Sequence, residues 1–136
     1  MKKLNFLFII LLAVTSFVSC KKEEDEGKLP NIAFKTGAGY VSADIILKKD
    51  TTVTIGIDAS KSEVVDVLKT FDASKSYDGG TASSFYSETL TGSKGDVYSK
   101  DVTITTRNQD GTEKYTFTVV NRDGLKNSVS IIVTVN

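Results

Sequence analysis

Histidine is absent from all 136 residues of the chain. That one absence removes the imidazole base, the Ser/His/Asp arrangement of nucleophilic hydrolases and every histidine-ligated metal centre. Cysteine occurs once, as Cys20, so no intramolecular disulfide can form and no thiolate cluster can hold zinc. Tryptophan is also missing, which removes the largest aromatic platform for stacking. Charge of either sign is not in excess, because 17 basic residues balance 17 acidic ones, and no positive field is available for a nucleic acid. Catalysis would have to rest on carboxylates, and Asp58, Asp66, Asp72, Asp78 and Asp123 show neither glycosidase-like spacing nor an Asp-x-Asp or EF-hand pattern for calcium. The composition therefore reads as a non-enzyme with no cofactor and no metal. Calcium on loop oxygens is the one ion left to weigh.

What the chain does have begins at its start. Lys2 and Lys3 precede the apolar run Leu4 to Val14 ("LNFLFIILLAV"), and "TSFVS" follows with small residues, the three parts of a secretory signal. The run is short for a membrane span, which needs about 20 apolar residues. Residues 1–19 are accordingly expected to be a signal peptide and to stand outside the fold. Losing Lys2 and Lys3 would leave the mature chain slightly acidic.

The next four-residue frame, "FVSC" at 17–20, resembles the lipobox of bacterial lipoproteins. That resemblance implies a lipid on Cys20 and a membrane as partner, with the chain anchored to a bilayer and not spanning it. Two or three acyl chains anchor firmly where one alone is marginal. "KKEEDE" at 21–26 has the composition of a solvated tether. It also resembles the export signal of Bacteroidota-type surface lipoproteins, with Lys22, Glu23, Glu24 and Asp25 filling the pattern. This implies an outer-membrane lipoprotein facing the cell exterior, with a periplasm-facing anchor as the alternative. Residues 20–30 are read as lipidated cysteine plus disordered acidic tether, ending at Pro30, the only proline.

Residues 31–136 have the length of one ordinary domain, which must be held by packing alone. Period-two alternation dominates them. "TTVTIGID" puts Val53, Ile55 and Ile57 on one face, "DVTITTR" does the same with Val102 and Ile104, "EKYTFTVVN" with Tyr115, Phe117 and Val119, and "SVSIIVTV" with Val129, Ile131, Val133 and Val135. "NIAFKT", "ADIILK" and "SFYSETL" are weaker strands, and "SEVVDVLKT" at 62–70 is read as strand because its valines are β-branched. Turns are expected at "YDGG" (77–80), "SKGD" (93–96), "NQDG" (108–111) and "NRDG" (121–124). "DASKS" occurs at 58–62 and again at 72–76, both copies read as polar turns at strand ends. The expected fold is all-β, a single immunoglobulin-like β-sandwich of about seven antiparallel strands. "YTFTVVNRDGLKNSVSIIVTV" at 115–135 resembles the last hairpin of bacterial immunoglobulin-like and PKD-like domains.

On this reading the sandwich is a non-enzymatic protein interaction, assembly or spacer module. The alternative is a carbohydrate-binding module, with Tyr77, Phe85 and Tyr86 as a small patch beside the "DGG" turn and Tyr40 and Tyr98 as further candidates. Aromatics of this kind serve more often as core or sheet-edge packing. The lipobox gives the first test. A fatty-acid probe fed to the producing cell should label the natural chain and not Cys20→Ser, and equal labelling of both would remove the lipid from the reading.

Overall fold

Strand alternation decides where each residue points, and the computed structural model, which describes residues 27–136, follows it closely. The signal segment, Cys20 and the export residues Lys22, Glu23, Glu24 and Asp25 lie outside the described residues. Eight strands run in the order β1 (Asn31–Phe34), β2 (Ile45–Leu47), β3 (Thr52–Ser60), β4 (Leu68–Tyr77), β5 (Ser83–Thr89), β6 (Val97–Thr105), β7 (Gly111–Asn121) and β8 (Lys126–Val135). A 3-10 turn, Gly92–Gly95, sits between β5 and β6.

The strands form two sheets, β1-β3-β6 and β2-β8-β7-β4-β5. Lettered as in an immunoglobulin domain, β1, β3 and β6 take the places of A, B and E, while β4, β7 and β8 take those of C, F and G. β5 extends the second sheet in the C′ position, and among the described residues no strand stands in the D position beside β6. All pairings are antiparallel except that of β2 with β8, where Ile45 lies opposite Val133 in parallel. This departs from the uniformly antiparallel expectation. The first extended run switches sheets between β1 and β2 without reversing, so it meets β3 head to tail and β8 in the same direction.

Ile55, Ile57, Val102, Ile104, Tyr115, Phe117, Val119, Ile131, Val133 and Val135 are all buried, the inward faces that alternation assigns. Four rings lie at the centre. Phe71 stacks on Phe117 at 6.4 Å, Phe34 meets Phe117 edge-on at 6.1 Å, and Tyr98 lies 5.1 Å from Phe71. Phe117 comes two residues after Tyr115, the place where antibody domains carry their F-strand cysteine. The cluster thus spans both sheets at the site of the missing disulfide.

Two segments depart from the sequence reading. Residues 62–67 are a loop, and the strand begins only at Leu68. β3 and β4 belong to different sheets, about 10 Å apart in a sandwich, so the chain between them must cross the gap and cannot pair. The second "DASKS", at 72–76, is the middle of β4 and not a turn, with Ala73 buried against the core and its polar neighbours only partly covered. The first copy does leave its sheet, since β3 ends at Ser60. The four turns fall where the glycines and Asx residues put them. In the β4–β5 hairpin Asp78 and Gly79 adopt φ of 52° and 76°, the type I′ geometry that suits the twist of paired strands.

Because nothing covalent ties the sheets together, truncating Phe117 should cost about 3 to 5 kcal/mol, from lost transfer energy and the cavity left behind. Thr118 points away and shares a hydroxyl bond of 2.8 Å with Ser128. Thr118→Ala should cost under about 1 kcal/mol. Urea melts of Phe117→Ala and Thr118→Ala decide it, and equal losses would refute the assignment of faces.

Candidate interaction surface

The sandwich has two ends and one open side, and side-chain bonds build each of them. At the near end the chain runs into the fold through Gly27–Pro30. Asn121 Nδ2 donates to the Lys28 carbonyl at 3.2 Å, Asn127 Nδ2 to the Pro30 carbonyl at 2.8 Å, and the Ser62 hydroxyl to the Leu29 carbonyl. Residues 27–30, read from sequence as the last part of the tether, therefore lie bonded along the domain. The same end carries the 61–67 loop, the 3-10 turn and the 122–125 turn. Asp66 is buried there and accepts from Asn121 Nδ2 at 2.7 Å and from its neighbour Val67 N at 2.8 Å, while Asn121 Oδ1 accepts from Leu125 N at 2.8 Å. One asparagine thus joins two loops and the incoming chain.

The far end is a corner built on a buried acid. Glu113 is fully buried, and its carboxylate accepts from Tyr115 Oη at 2.5 Å, Arg107 N at 2.8 Å and Arg107 Nε at 3.1 Å. Burial first, and then the bond to Glu113, push the Tyr115 hydroxyl up and keep it a donor. Arg107 reaches on to Asp78 Oδ2 at 3.0 Å, and its guanidinium covers the Tyr77 ring at 4.1 Å. Asp78 also accepts from Thr112 N at 2.8 Å, and that backbone bond, then Arg107, hold its carboxyl below the usual range. Gly111, at φ 146°, is the residue on which this corner turns, and a side chain there would run into the Asp78 carboxylate.

The open side lies between β5 and β6, each paired on one edge only. Glu88 closes its upper part, accepting from Tyr86 Oη and Tyr98 Oη, both at 2.6 Å, and pairing with Lys94. Below it a recess of about 240 Å³ is lined by Phe85, Tyr86, Lys100, Asp101, Val102 and Thr103. Phe85 protrudes because the pairing slips between Ala73 and Ser74 and leaves it without a partner.

The three aromatic candidates do not make an open platform. Tyr86 turns inward onto Phe71 at 6.1 Å and carries Lys100 at 4.3 Å from its ring. Tyr77 and Phe85 share Lys75, which stands 5.5 Å and 5.6 Å from their ring centres, and Phe85 is 37% exposed. Tyr98 is core, and Tyr40 lies on the outer face of the three-stranded sheet, donating to Asp101 at 3.1 Å. The carboxylates scatter likewise. Asp66 and Asp123 belong to the near end, Asp78 to the far end, Asp58 to β3 in one sheet and Asp72 to β4 in the other. Among the described residues no group of three or more acids or cysteines stands close enough to share a metal ion.

Sequence reasoning passed over Glu88, Arg107, Glu113 and Asn121. For Glu113 and Asn121 the signal was present. In "EKYTFTVVN" both have the parity of Tyr115, Phe117 and Val119, so a strand there turns an acid and an amide inward. Glu88 and Arg107 depend on contacts between distant segments and left no such trace.

No family model and no curated protein sequence matches the chain. Solved structures do. A single-residue variant of superoxide reductase (neelaredoxin) from Ignicoccus hospitalis is similar at a TM-score of 0.55 and 8% identity, over 83% of this chain and 84% of that one. The CARDB domain of the PF1109 protein from Pyrococcus furiosus aligns at 0.46 and 13% identity, over 81% and 91%. The likeness is one of fold. The first of the two supports the two-sheet architecture, and neither carries an activity to this chain.

The Glu88 clamp has a pH signature. Lys94 first, then the Tyr86 and Tyr98 hydroxyls, hold its carboxyl at about 2, against an ordinary 4.5. A carboxyl more acidic folded than unfolded contributes stability above the unfolded value and loses it as pH falls toward the folded one. Melting temperature should therefore drop more steeply for the natural chain than for Glu88→Gln between about pH 4.5 and about pH 2. Parallel curves would mean that the clamp adds nothing.

Proposed function

We propose that this chain is a lipoprotein held to the outer membrane through Cys20 and exposed at the cell surface, and that its sandwich is a non-enzymatic interaction, assembly or spacer module. The observation that carries this reading is the lipobox-like "FVSC" at 17–20 with "KKEEDE" directly after it, and the way the chain enters the fold adds an orientation. Gly27–Pro30 is bonded to the near end by Asn121, Asn127 and Ser62, so a chain fixed at Cys20 would present its sandwich end-on. The far corner would then point away from the membrane, with the open β5–β6 side along the flank.

The fate of the acids supports a binding module over an enzyme. Glu113, Asp66, Asp78 and Glu88 are each committed to structural donors that fix the corner, the loops or the open side. Cations over Tyr77, Phe85 and Tyr86 favour a protein-contacting surface over a flat sugar platform. Arg107 presents its charge together with the Tyr77 ring, and arginine and aromatic residues are enriched at protein interfaces.

Surface exposure is tested through the acidic stretch. Changing Glu23, Glu24 and Asp25 to Ala should leave the protein acylated yet hide it from protease added to whole cells, whereas the natural chain is cleaved. Equal cleavage of both would reduce the stretch to a spacer and favour neither face of the membrane over the other.

A further inference from the structure

We propose that Val64 and Val65 form an apolar tip that rests in the surface of the same bilayer that holds the chain. This rests on the lipid anchor at Cys20 proposed above. Val64 is 90% exposed and Val65 73%, at the outermost part of the 61–67 loop. Covering two adjacent aliphatic side chains that stand this far into water is favourable.

The loop holds them there. Lys61 Nζ donates to the Val64 carbonyl at 3.2 Å while pairing with Asp96 at 2.6 Å, so the tip is tied to the 3-10 turn region. Asp66 N donates to the Glu63 carbonyl at 3.3 Å, and the Asp66 carboxylate is buried against Asn121. A loop fastened on both flanks presents its valines in a fixed place, and β-branched side chains lose little rotamer freedom on being covered.

The position of the incoming chain selects the occupant. Leu29, itself 54% exposed, accepts the Ser62 hydroxyl bond, so the chain arrives beside this loop at the same end as the valines. Six residues, 21–26, separate Cys20 from Gly27. At roughly 3.3 to 3.6 Å per residue, even a fully extended connection holds the near end within about 25 Å of the acylated residue. Beside the tip Lys28 pairs with Glu63 at 3.7 Å, Lys61 with Asp96 at 2.6 Å and Arg122 with Asp123 at 3.4 Å. The contact made by the valines themselves is apolar.

Three aliphatic side chains would not bring a free domain to a bilayer. On a tethered one the second contact is intramolecular, at an effective concentration in the millimolar range, and needs little intrinsic affinity. The tip would act as an orienting foot. It would limit how far the sandwich swings about its anchor, with the far corner held away from the lipid.

The test uses the full acylated protein in phosphatidylcholine vesicles containing nitroxide-labelled lipid. Cys20 is blocked by its acyl chains, so Val64→Cys or, at the opposite end, Asp110→Cys can each be labelled alone with a polarity-sensitive fluorophore. The dye at 64 should shift to the blue and be quenched several-fold more than the dye at 110. Adding Val65→Asp to the Val64→Cys protein should abolish that quenching without altering the thermal melt. Equal, weak quenching at 64 and 110 in vesicle-bound, acylated protein overturns the tip and leaves the anchor standing. Shielding at 64 that follows protein density and not nitroxide content also overturns it, in favour of a second copy of the chain. Chain that floats free of vesicles and lacks fatty acid overturns the anchor first, and the tip with it.

Discussion

Two phenyl rings, Phe71 on β4 and Phe117 on β7, stack near the centre of a sandwich that has no covalent link between its sheets. Most other packing follows from this contact. Phe34 closes on Phe117 from the three-stranded sheet and Tyr98 closes on Phe71 from β6, so one group of rings touches four strands drawn from both layers. Aromatic pairs at such separations add about 0.5 to 1.5 kcal/mol beyond the area they bury. A disulfide would restrict the unfolded chain, whereas rings act only once the fold is in place. The domain is therefore stabilised through its native packing, and the precision of that packing carries more weight than in a crosslinked relative.

Around this apolar centre the polar groups are fixed at the margins. A buried carboxylate is costly unless donors surround it, and both buried acids meet that condition, Glu113 through Arg107 and Tyr115, and Asp66 through Asn121 and the Val67 amide. Among the described residues every buried side-chain nitrogen or oxygen has a partner. Tyr115 with Glu113 takes the part of the tyrosine corner of immunoglobulin domains, with the carboxylate in place of a backbone group as acceptor. Acids so engaged hold the loops in position.

Much of this was legible in the sequence, because β-strand side chains alternate whatever else the chain does. Val53, Ile55 and Ile57 on β3 and Tyr115, Phe117 and Val119 on β7 needed only parity. Gly56 carried a further clue. A glycine inside a strand marks a close approach, and the Lys35 and Tyr40 side chains occupy the space where its Cβ would stand, at 2.6 Å and 2.8 Å. Parity failed where the controlling fact lay in another segment. Val64 and Val65 have strand-forming side chains, yet their backbone must bridge two sheets. The "DASKS" in β4 has turn-forming side chains, yet pairing with β5 on one side and β7 on the other keeps it extended. The Glu88 clamp joins β5, the 3-10 turn and β6, a meeting that no local pattern encodes.

The chain enters at the start of β1, beside the end of β3, and β8 leaves at the opposite end after ten residues. Ten residues of strand rise about 33 Å, so the two ends of the domain stand roughly that far apart. A pull between them loads β1 along its own length against β3, and β8 along its own length against β7, whose register with β8 runs from Gly111 to Val120. Rungs loaded this way share the force at once instead of opening one after another. Under tension such a domain is strongest along the line that joins the start of β1 to the end of β8.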